Sequence, residues 1–181
     1  MPRPLTPGLE ERILDAAHAL WSAGGEDALS IRAVAERAGT HPPRIYARFQ
    51  DKQALLRALR SRAVEHWRAR ISGAQSLRDG LSRYLNFAED EPFEYQLLFG
   101  PGFMRRVDPT DAGRPIEVLK RALASERGGD ADSYENTART IWALLHGIAM
   151  LQQEFPSGTA RANFRTACLD ACELIAGRTG G

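Results

Sequence analysis

The sequence predicts an all-α protein, with an N-terminal three-helix domain joined by a long helix to a C-terminal helical bundle. Apolar residues recur three and four positions apart through most of the chain, which is the period of an amphipathic helix. Gly and Pro fall between these periodic segments, where helices end. No segment alternates apolar and polar residues as a half-buried strand requires, so the 181 residues are predicted to form helices alone.

The bulk composition predicts a cytoplasmic protein without a membrane span. Residues 1–8 lack the apolar core of a signal peptide. No apolar run approaches the ~20 residues of a membrane-spanning helix. The two cysteines, Cys168 and Cys172, form no disulfide framework and suit a reducing compartment.

The first helix is predicted to begin at Thr6, which can cap its N-terminus, with Pro7 in the first turn. The pair Gly24–Gly25 is predicted to end it. Its apolar stripe consists of Leu9, Ile13, Ala17, Leu20 and Trp21. This helix is expected to cover the two helices that follow.

Two short helices with a tight turn between them are predicted over residues 30–49. Ser30 is a suitable N-cap, and Gly39 can take the left-handed conformation that ends a helix. Pro42 fits the first turn of the second helix, where its missing N–H costs nothing. The inward positions of the two helices are Ile31, Val34, Ala35, Ala38, Ile45 and Phe49. The segment therefore has the form of a helix-turn-helix.

Basic residues concentrate at this end of the chain. Arg44 and Arg48 lie four apart on a face of the second short helix that can look outward. Residues 30–72 hold 10 Lys and Arg against 3 Asp and Glu, whereas residues 73–181 hold 12 against 15. A positive charge around a helix-turn-helix suits the approach to a polyanion such as DNA.

A long helix follows and divides the chain. Asp51 is predicted to cap it, and Ser72–Gly73 to end it; at ~20 residues it would span roughly 30 Å. Its inward ladder is Leu55, Leu59, Ala63, Trp67 and Ile71. We therefore expect a DNA-binding domain with its connecting helix over residues 8–70, and a ligand-binding and dimerisation domain over residues 75–178.

The C-terminal domain is predicted to begin with three helices. Ser76 and Asp79 resemble a capping box at the start of the first, and Pro92 begins the second. Residues 103–113 are predicted to form a loop, and residues 115–124 the third helix.

Of the last two predicted helices, the first carries apolar residues most of the way round, and the second presents small residues that permit close approach. One runs from Asp132 or Ser133 to Phe155, and the other from Thr159 or Ala160 to residue 176. A helix that is apolar on more than one face must bury more than one face. These helices are therefore predicted to form a four-helix interface with the same pair in a second copy of the chain.

The helix-turn-helix resembles that of TetR-family transcriptional regulators. The positions that match the family pattern are Ser30, Ile31, Val34, Ala35, Ala38, Gly39, Pro42, Ile45, Tyr46, Phe49 and Lys52. Two places depart from the pattern. Thr40–His41 stands where the family usually has an aliphatic residue followed by Ser or Thr, and Pro43 stands where Gly is common. Residues 141–147 and 95–100 also resemble a subgroup whose effector domain carries a Trp…His-Gly signature.

The resemblance implies which residues contact DNA. The floor of the major groove would be faced by Pro42, Pro43, Arg44 and Ala47, with Arg44 as the donor to guanine. Phosphate contacts are implied for Ser30, His41, Tyr46, Arg48 and Lys52. Three alternatives stay open: Ser30 as a helix cap only, Tyr46 as a partly buried core residue, and Arg48 as a solvated charge.

An effector pocket is the second site that the resemblance implies. Its candidate residues are Tyr84, Phe87, Tyr95, Phe99, Trp142 and His146. An aromatic lining would favour a small apolar or aromatic effector. The alternative for His146 is a hydrogen-bonded core histidine beside Gly147, and aromatic residues at helical spacing also form ordinary cores.

The sequence contains no catalytic motif that would indicate an enzyme. G-x-S-x-G, H-E-x-x-H, a Walker A loop and a dinucleotide fingerprint are all absent from it. Cys168 and Cys172 share a helical face that is compatible with a metal or a redox switch, but two cysteine ligands alone give little support for a metal site. We therefore predict no cofactor and no metal.

These patterns together predict a sequence-specific DNA-binding regulator. The expected form is a homodimeric repressor of a pseudo-palindromic double-stranded operator, released when an effector binds the C-terminal bundle. The alternative is an architectural or partner DNA-binding protein whose bundle binds another protein and no small molecule. No membrane partner is expected.

Overall fold

The computed structural model describes residues 8–100, 115–151 and 158–177 of the chain. All regular elements within these ranges are helical, which confirms the all-α prediction. Over the same ranges, none of the helices combines the length and apolarity needed to cross a lipid bilayer. The described helices are α1 (Leu9–Ala28), α2 (Ile31–Arg37), α3 (Pro42–Phe49), α4 (Lys52–Ile71), α5 (Leu77–Asp90), α6 (Pro92–Phe99), α7 (Pro115–Arg127), a 3₁₀-helix (Ala131–Tyr134), α8 (Glu135–Leu151) and α9 (Thr159–Gly177).

Two of the predicted caps are confirmed by hydrogen bonds. The Oδ1 atom of Asp51 accepts from the backbone N–H of Ala54 at 2.6 Å and begins α4. The Oγ atom of Ser76 accepts from the N–H of Asp79 at 3.2 Å and begins α5. Three other predictions, the start at residue 6, the loop at 103–113 and the helix end at 155, lie outside the described residues.

The helix boundaries differ from the prediction at two places. Helix α1 continues beyond Gly24–Gly25 to Ala28, with a kink where both glycines leave the helical conformation. A 3₁₀ turn precedes α8, because Asp130 accepts from the N–H of Asp132 at 2.8 Å and caps this tighter turn first.

The described residues form two compact units. The first unit comprises residues 8–66 and 91–100, and the second comprises 67–90, 115–151 and 158–177. In this division α6 groups with α1 to α3, and the domain boundaries at residues 8–70 and 75–178 stay a prediction. Sequence separation hid this association, because α6 packs on α1 across a gap of more than sixty residues.

The first unit has one core formed by the inward stripes of its helices. Helix α1 packs on α2 and α6, and α2 packs on α3. The core residues include Ile13, Ala17, Val34, Ile45, Leu55, Leu59 and Leu98. The buried positions of the two short helices, such as Val34 and Ile45, thus belong to this core, which leaves the opposite face of α3 outside.

The second unit packs α5, α7, α8 and α9 around a separate core. Arg78 of α5 binds Asp170 at 2.7 Å and Glu173 at 2.5 Å, which ties α5 to α9. The buried Lys120 ammonium contacts Asp132 at 2.6 Å and Glu135 at 3.1 Å. These carboxylates, Asp132 foremost, hold the pKa of Lys120 well above its usual range, so it stays charged and ties α7 to α8.

Candidate nucleic-acid interface and effector cavity

The turn between α2 and α3 has the geometry that its residues predict. The Oγ atom of Ser30 accepts from the N–H of Ala33 at 3.1 Å, so Ser30 caps α2. Gly39 has φ of +63°, which lets the chain reverse after α2 at no steric cost. Pro42 begins α3 directly after the extended residue His41. The local sequence alone therefore orients α3 relative to α2.

Helix α3 buries one face and presents the other to solvent. Ile45 and Phe49 lie in the core of the first unit. Pro43, Tyr46 and Ala47 are exposed. Tyr46 is 49% exposed, which excludes the alternative of a core tyrosine. The outward face carries side chains suited to contacts with DNA and no apolar core residue.

The other predicted DNA-contact residues surround this face or lie on it. Ser30, His41 and Arg48 are exposed, while Pro42, Arg44 and Lys52 are half-buried. The structure thus brings all nine residues to the helix-turn-helix or to the first turn of α4. Whether each one contacts DNA stays a prediction.

Two of the predicted phosphate-binding cations already have acidic partners. The Arg48 guanidinium pairs with the carboxylate of Glu10 on α1. The Nζ atom of Lys52 lies 4.0 Å from a carboxylate oxygen of Glu26, also on α1. A phosphate would have to compete with these carboxylates, which the sequence analysis did not connect with the interface. Glu10 and Glu26 give no signal in the sequence because the pairing depends on how α1 packs.

A cavity of about 290 Å³ lies within the second unit. Its walls come from the C-terminal end of α4 and from α5, α7 and α8. Apolar and aromatic side chains form most of the lining, and a polar edge includes Gln75, Ser125 and Glu126. The principal apolar lining residues are Trp67, Ile71, Leu77, Leu81, Tyr84, Val118, Leu119, Ala122, Trp142 and Leu145. The size and lining suit a small organic molecule.

Charge further restricts what this cavity can hold. Among its described lining residues, none is Lys, Arg or His, and Glu126 is the one carboxylate. The Oε2 atom of Glu126 accepts from the N–H of Leu77 at 2.8 Å, which fixes the carboxylate at the start of α5. An anionic molecule would gain no cationic partner from these residues and would be repelled by Glu126.

The predicted pocket residues do not lie together: some line the cavity, one lies in the core of the second unit, and two belong to the first unit. Tyr84 and Trp142 line the cavity. Phe87 is 0% exposed and lies in the core of the second unit. Tyr95 and Phe99 belong to the first unit, where their ring centroids lie 5.1 Å apart.

His146 lies beside the cavity wall, without being among its lining residues. Its ring stacks on Trp142 with centroids 5.6 Å apart and an interplanar angle of 22°. Burial lowers the pKa of His146, which favours the neutral imidazole. A neutral ring stacked on Trp142 supports the position of that indole at the cavity.

Several lining residues were missed by the sequence analysis. Trp67 and Ile71 had been assigned to the apolar ladder of α4, and the small residue Ala122 had drawn no attention. Glu126 was missed because nothing in its local sequence separates it from other exposed helix carboxylates. Aromatic side chains were the only feature of the sequence that indicated a pocket, and they occur in the core as well as in the cavity lining.

The two cysteines lie in surroundings that disfavour the thiolate. Burial raises the pKa of the Cys172 thiol to about 11 and also raises the pKa of Cys168. The described part of the chain contains no group of three His, Cys, Asp or Glu residues placed to hold a metal ion.

An exposed helix-turn-helix face on an all-α chain defines a DNA-binding transcriptional regulator. Residues 13–59 match the family model of the bacterial regulatory proteins of the tetR family. Residues 77–170, just over half of the chain, match the model of the tetracyclin repressor-like C-terminal domain. The chain belongs to the TetR family.

Individual proteins agree with this assignment. An uncharacterized HTH-type transcriptional regulator from Mycobacterium tuberculosis is 28% identical over 151 residues, covering 78% of this chain and 69% of that protein. A TetR-family regulator from Streptomyces coelicolor has a similar structure, with a TM-score of 0.72, 20% identity, and coverage of 97% of this chain and 83% of that one. A TetR protein from Acinetobacter baumannii AYE in complex with minocycline gives a TM-score of 0.64, 21% identity and 96% coverage of both chains. At these identities the structural likeness concerns the fold alone.

Proposed function

We propose that this regulator is a homodimeric repressor that is released from its operator by a small neutral or cationic aromatic molecule. The observation that carries the proposal is the outward face of α3, described above. Because Ile45 and Phe49 anchor that helix in the core, its other face is held rigidly outside the first unit. A rigid exposed helix of this kind fits the major groove of B-DNA.

Within α3, Arg44 is the residue proposed to read the sequence. A guanidinium can donate two hydrogen bonds to the O6 and N7 atoms of guanine, whereas its neighbours Pro43 and Ala47 offer only apolar contact to a thymine methyl group. Ser30, His41, Tyr46, Arg48 and Lys52 would contact phosphates and fix the orientation of the helix without reading bases.

Exposed apolar stripes on the last two helices support the homodimer. On α8, Ala143, Met150 and Leu151 are exposed, and a Cβ atom built on the intervening Gly147 would meet nothing within 4 Å. On α9, Leu174 is 71% exposed. Large apolar side chains at helical spacing with a glycine between them suit close packing against a second copy.

The lining of the cavity supports the class of effector. Aromatic and aliphatic walls with one carboxylate favour a flat, uncharged or cationic molecule over an anion. The cavity is therefore more selective than an apolar lining alone would make it, because the negative charge of Glu126 disfavours effectors of negative charge. The minocycline complex of the Acinetobacter relative is a precedent for a small-molecule ligand in this fold.

The first experiment tests DNA recognition. The purified full-length protein is used to select duplexes from a randomised pool at two salt concentrations. Enrichment of an inverted repeat, with half-sites roughly 34 Å apart or a multiple of this, is expected. Salt-dependent binding without an enriched repeat would replace this proposal by an architectural DNA-binding function.

The second experiment tests the effector. Neutral, cationic and anionic aromatic compounds are screened for an increase in the melting temperature and for release of the selected operator. We expect hits among the neutral and cationic compounds only, and their loss in Ala122→Phe, which fills the cavity. Ala69→Phe, at an exposed position of α4, is the matched control. Failure of every compound would favour a partner protein as the regulator.

The third experiment tests the dimer. Leu174→Glu is expected to shift the sedimentation coefficient from dimer towards monomer and to weaken operator binding. Ala69→Glu introduces the same charge at an exposed position outside the proposed interface and is expected to leave the dimer intact. A dimer unaffected by Leu174→Glu would contradict the proposed interface.

A further inference from the structure

A buried carboxylate joins three helices of the first unit. Glu94 of α6 is 2% exposed. Its Oε1 atom contacts Nε2 of His18 on α1, and its Oε2 atom lies 2.7 Å from Nδ1 of His66 on α4. Each carboxylate oxygen therefore has its own imidazole partner, one from each helix that flanks α6.

This arrangement places the charge of Glu94 under the control of two groups that exchange protons with solvent. A buried carboxylate is costly unless it is paired and hydrogen-bonded. The side chains of His18 and His66 are 36% and 41% exposed, so both can exchange protons with water without local unfolding. Protonation of an imidazole adds a positive charge to its hydrogen bond with the carboxylate, so that two opposite charges meet across the contact and attract each other more strongly.

Two further polar contacts that fasten α6 lack this dependence. The indole Nε1 of Trp21 on α1 donates to the carbonyl oxygen of Phe93 at 2.5 Å. The guanidinium of Arg60 on α4 donates to the carbonyl oxygen of Leu97 at 3.0 Å and 2.8 Å. Indole and guanidinium groups keep their protons across the physiological range. The contact through Glu94 is thus the one of these three that pH can change.

Carboxylates and guanidinium groups are also present near the cluster. On α1 and α4, Asp15 and Arg62 pair at 2.5 Å, one turn from the histidines. Glu65 is the neighbour of His66 in the chain, Glu91 lies at the start of α6, and Arg60 donates to the backbone of α6. Such groups ordinarily keep their charge between about pH 5.5 and 8, whereas imidazoles change theirs.

We propose that His18, Glu94 and His66 form a proton-responsive clamp that fixes α6 against α1 and α4. The clamp is tightest when both imidazoles are protonated and loosens as pH rises through the range in which imidazoles lose their protons. Because α1 packs on α2 and α2 packs on α3, the position of α6 then affects the helix that is proposed to read DNA. This last consequence rests on the proposed function, whereas the clamp itself does not.

Hydrogen exchange of the full-length protein tests the clamp without DNA. Protection factors, which correct for the chemical pH dependence of exchange, are measured for the α6 amides between about pH 5.5 and 8. In the wild type we expect protection to fall by about tenfold as pH rises. In Glu94→Gln, an uncharged variant of the same shape, protection should be low at both pH values. His146→Gln removes a histidine of the second unit and should keep the wild-type profile.

Two results would overturn the clamp. One is a wild-type protection of α6 that does not change with pH, and the other is a Glu94→Gln profile that superimposes on the wild type. If Glu94→Gln fails to fold, as judged by circular dichroism, the double variant His18→Gln/His66→Gln replaces it. In that variant the protection of α6 is expected to be independent of pH. If its protection changes with pH as in the wild type, the clamp is refuted.

Operator affinity tests the consequence for DNA. His41 is proposed to lie at the phosphates, so all proteins carry His41→Gln to remove its own titration. Over the same pH interval, the operator affinity of the protein that retains Glu94 is expected to change by about fivefold or more. The affinity of the protein that also carries Glu94→Gln is expected to stay constant. If protection responds to pH and affinity does not, the clamp stands and its effect on DNA is refuted. Absence of any operator binding by the wild-type protein, which retains His41, would instead refute the proposed function.

Discussion

The outward face of α3 and the cavity of the second unit differ in how their residues are brought together. The α3 face comes from one continuous segment of about twenty residues, ordered by a cap, a glycine turn and a proline. The cavity collects side chains from four helices spread over residues 67–145. The first site is therefore built by local interactions and the second by tertiary packing.

This difference has a functional meaning. A surface determined locally can keep its geometry while individual outward side chains vary, because the residues that place α3 in the core, Ile45 and Phe49, lie on its other face. A cavity determined by packing changes shape with any of its walls. We therefore expect substitutions of the outward residues of α3 to alter DNA binding with little effect on stability, and substitutions in the buried core of the second unit to lower stability first.

The largest effect is expected for Phe87→Ala. Phe87 had been a candidate pocket residue, but it is fully buried in the second unit. Removing its ring should leave a cavity and lower the free energy of unfolding by about 3–5 kcal/mol. Chemical denaturation measures this loss. If the variant has nearly wild-type stability but loses its effector response, Phe87 contacts the effector and the assignment to the core is wrong.

Arg44→Ala is expected to have the next largest effect, on DNA alone. Loss of a bidentate contact to guanine should cost about 1–3 kcal/mol of operator affinity and relax the preference at one base pair. Selection from a randomised pool with the variant measures both quantities.

Lys52→Ala is the matched control for the Arg44 substitution. Removal of one phosphate contact should weaken binding to all sequences alike and lower the slope of log affinity against log salt by about one. Equal losses on every duplex for both variants would contradict base reading by Arg44.

A smaller effect is expected for Glu10→Gln. The Glu10 carboxylate pairs with Arg48 and competes with any phosphate for that guanidinium. Its neutralisation should therefore strengthen operator binding by about 0.2–1 kcal/mol, the size of an exposed ion pair. Fluorescence anisotropy with the selected duplex measures the change. Weaker binding would mean that Arg48 needs Glu10 to hold its position at the DNA.

The last prediction concerns the reactivity of the Cys172 thiol and involves no change in DNA binding. Since burial raises the pKa of its thiol to about 11, alkylation near pH 8 should be about a hundredfold slower in the folded protein than after denaturation. Mass spectrometry after iodoacetamide treatment measures the two rates. The sign for stability follows from the same shift: the contribution of the neutral thiol is present below the ordinary thiol pKa and is lost as pH rises towards about 11. Fast alkylation of the native protein would revive the redox interpretation.

The sequence analysis succeeded where neighbouring residues determine the structure. The caps at Ser30, Asp51 and Ser76 are each made by the predicted side chain. The turn at Gly39 has the left-handed backbone that the Gly suggested. The buried positions of α3 were likewise predictable, because an i, i+4 pair of large apolar residues has one way to face inward.

It failed where partners are distant in the chain. Glu94 reads as an ordinary helix carboxylate, yet it is buried because α6 packs between His18 and His66. Tyr95 and Phe99 were assigned to the effector pocket for their aromatic character, and the same packing places them in the first unit. A single sequence without pairing information cannot distinguish a core ring from a cavity ring, since both need the same burial.

The kink in α1 restricts how the chain can vary. Gly25 is buried with φ of +63° and ψ of −145°, a backbone conformation that residues other than glycine rarely adopt. A Cβ atom there would lie 3.4 Å from Cδ1 of Phe93 on α6, so any side chain longer than a methyl group would have to displace that ring. Gly39 also has a positive φ, but a Cβ atom on it would meet nothing within 4 Å. In a saturation mutagenesis library, position 25 should therefore accept almost no replacement, while position 39 should accept Asn.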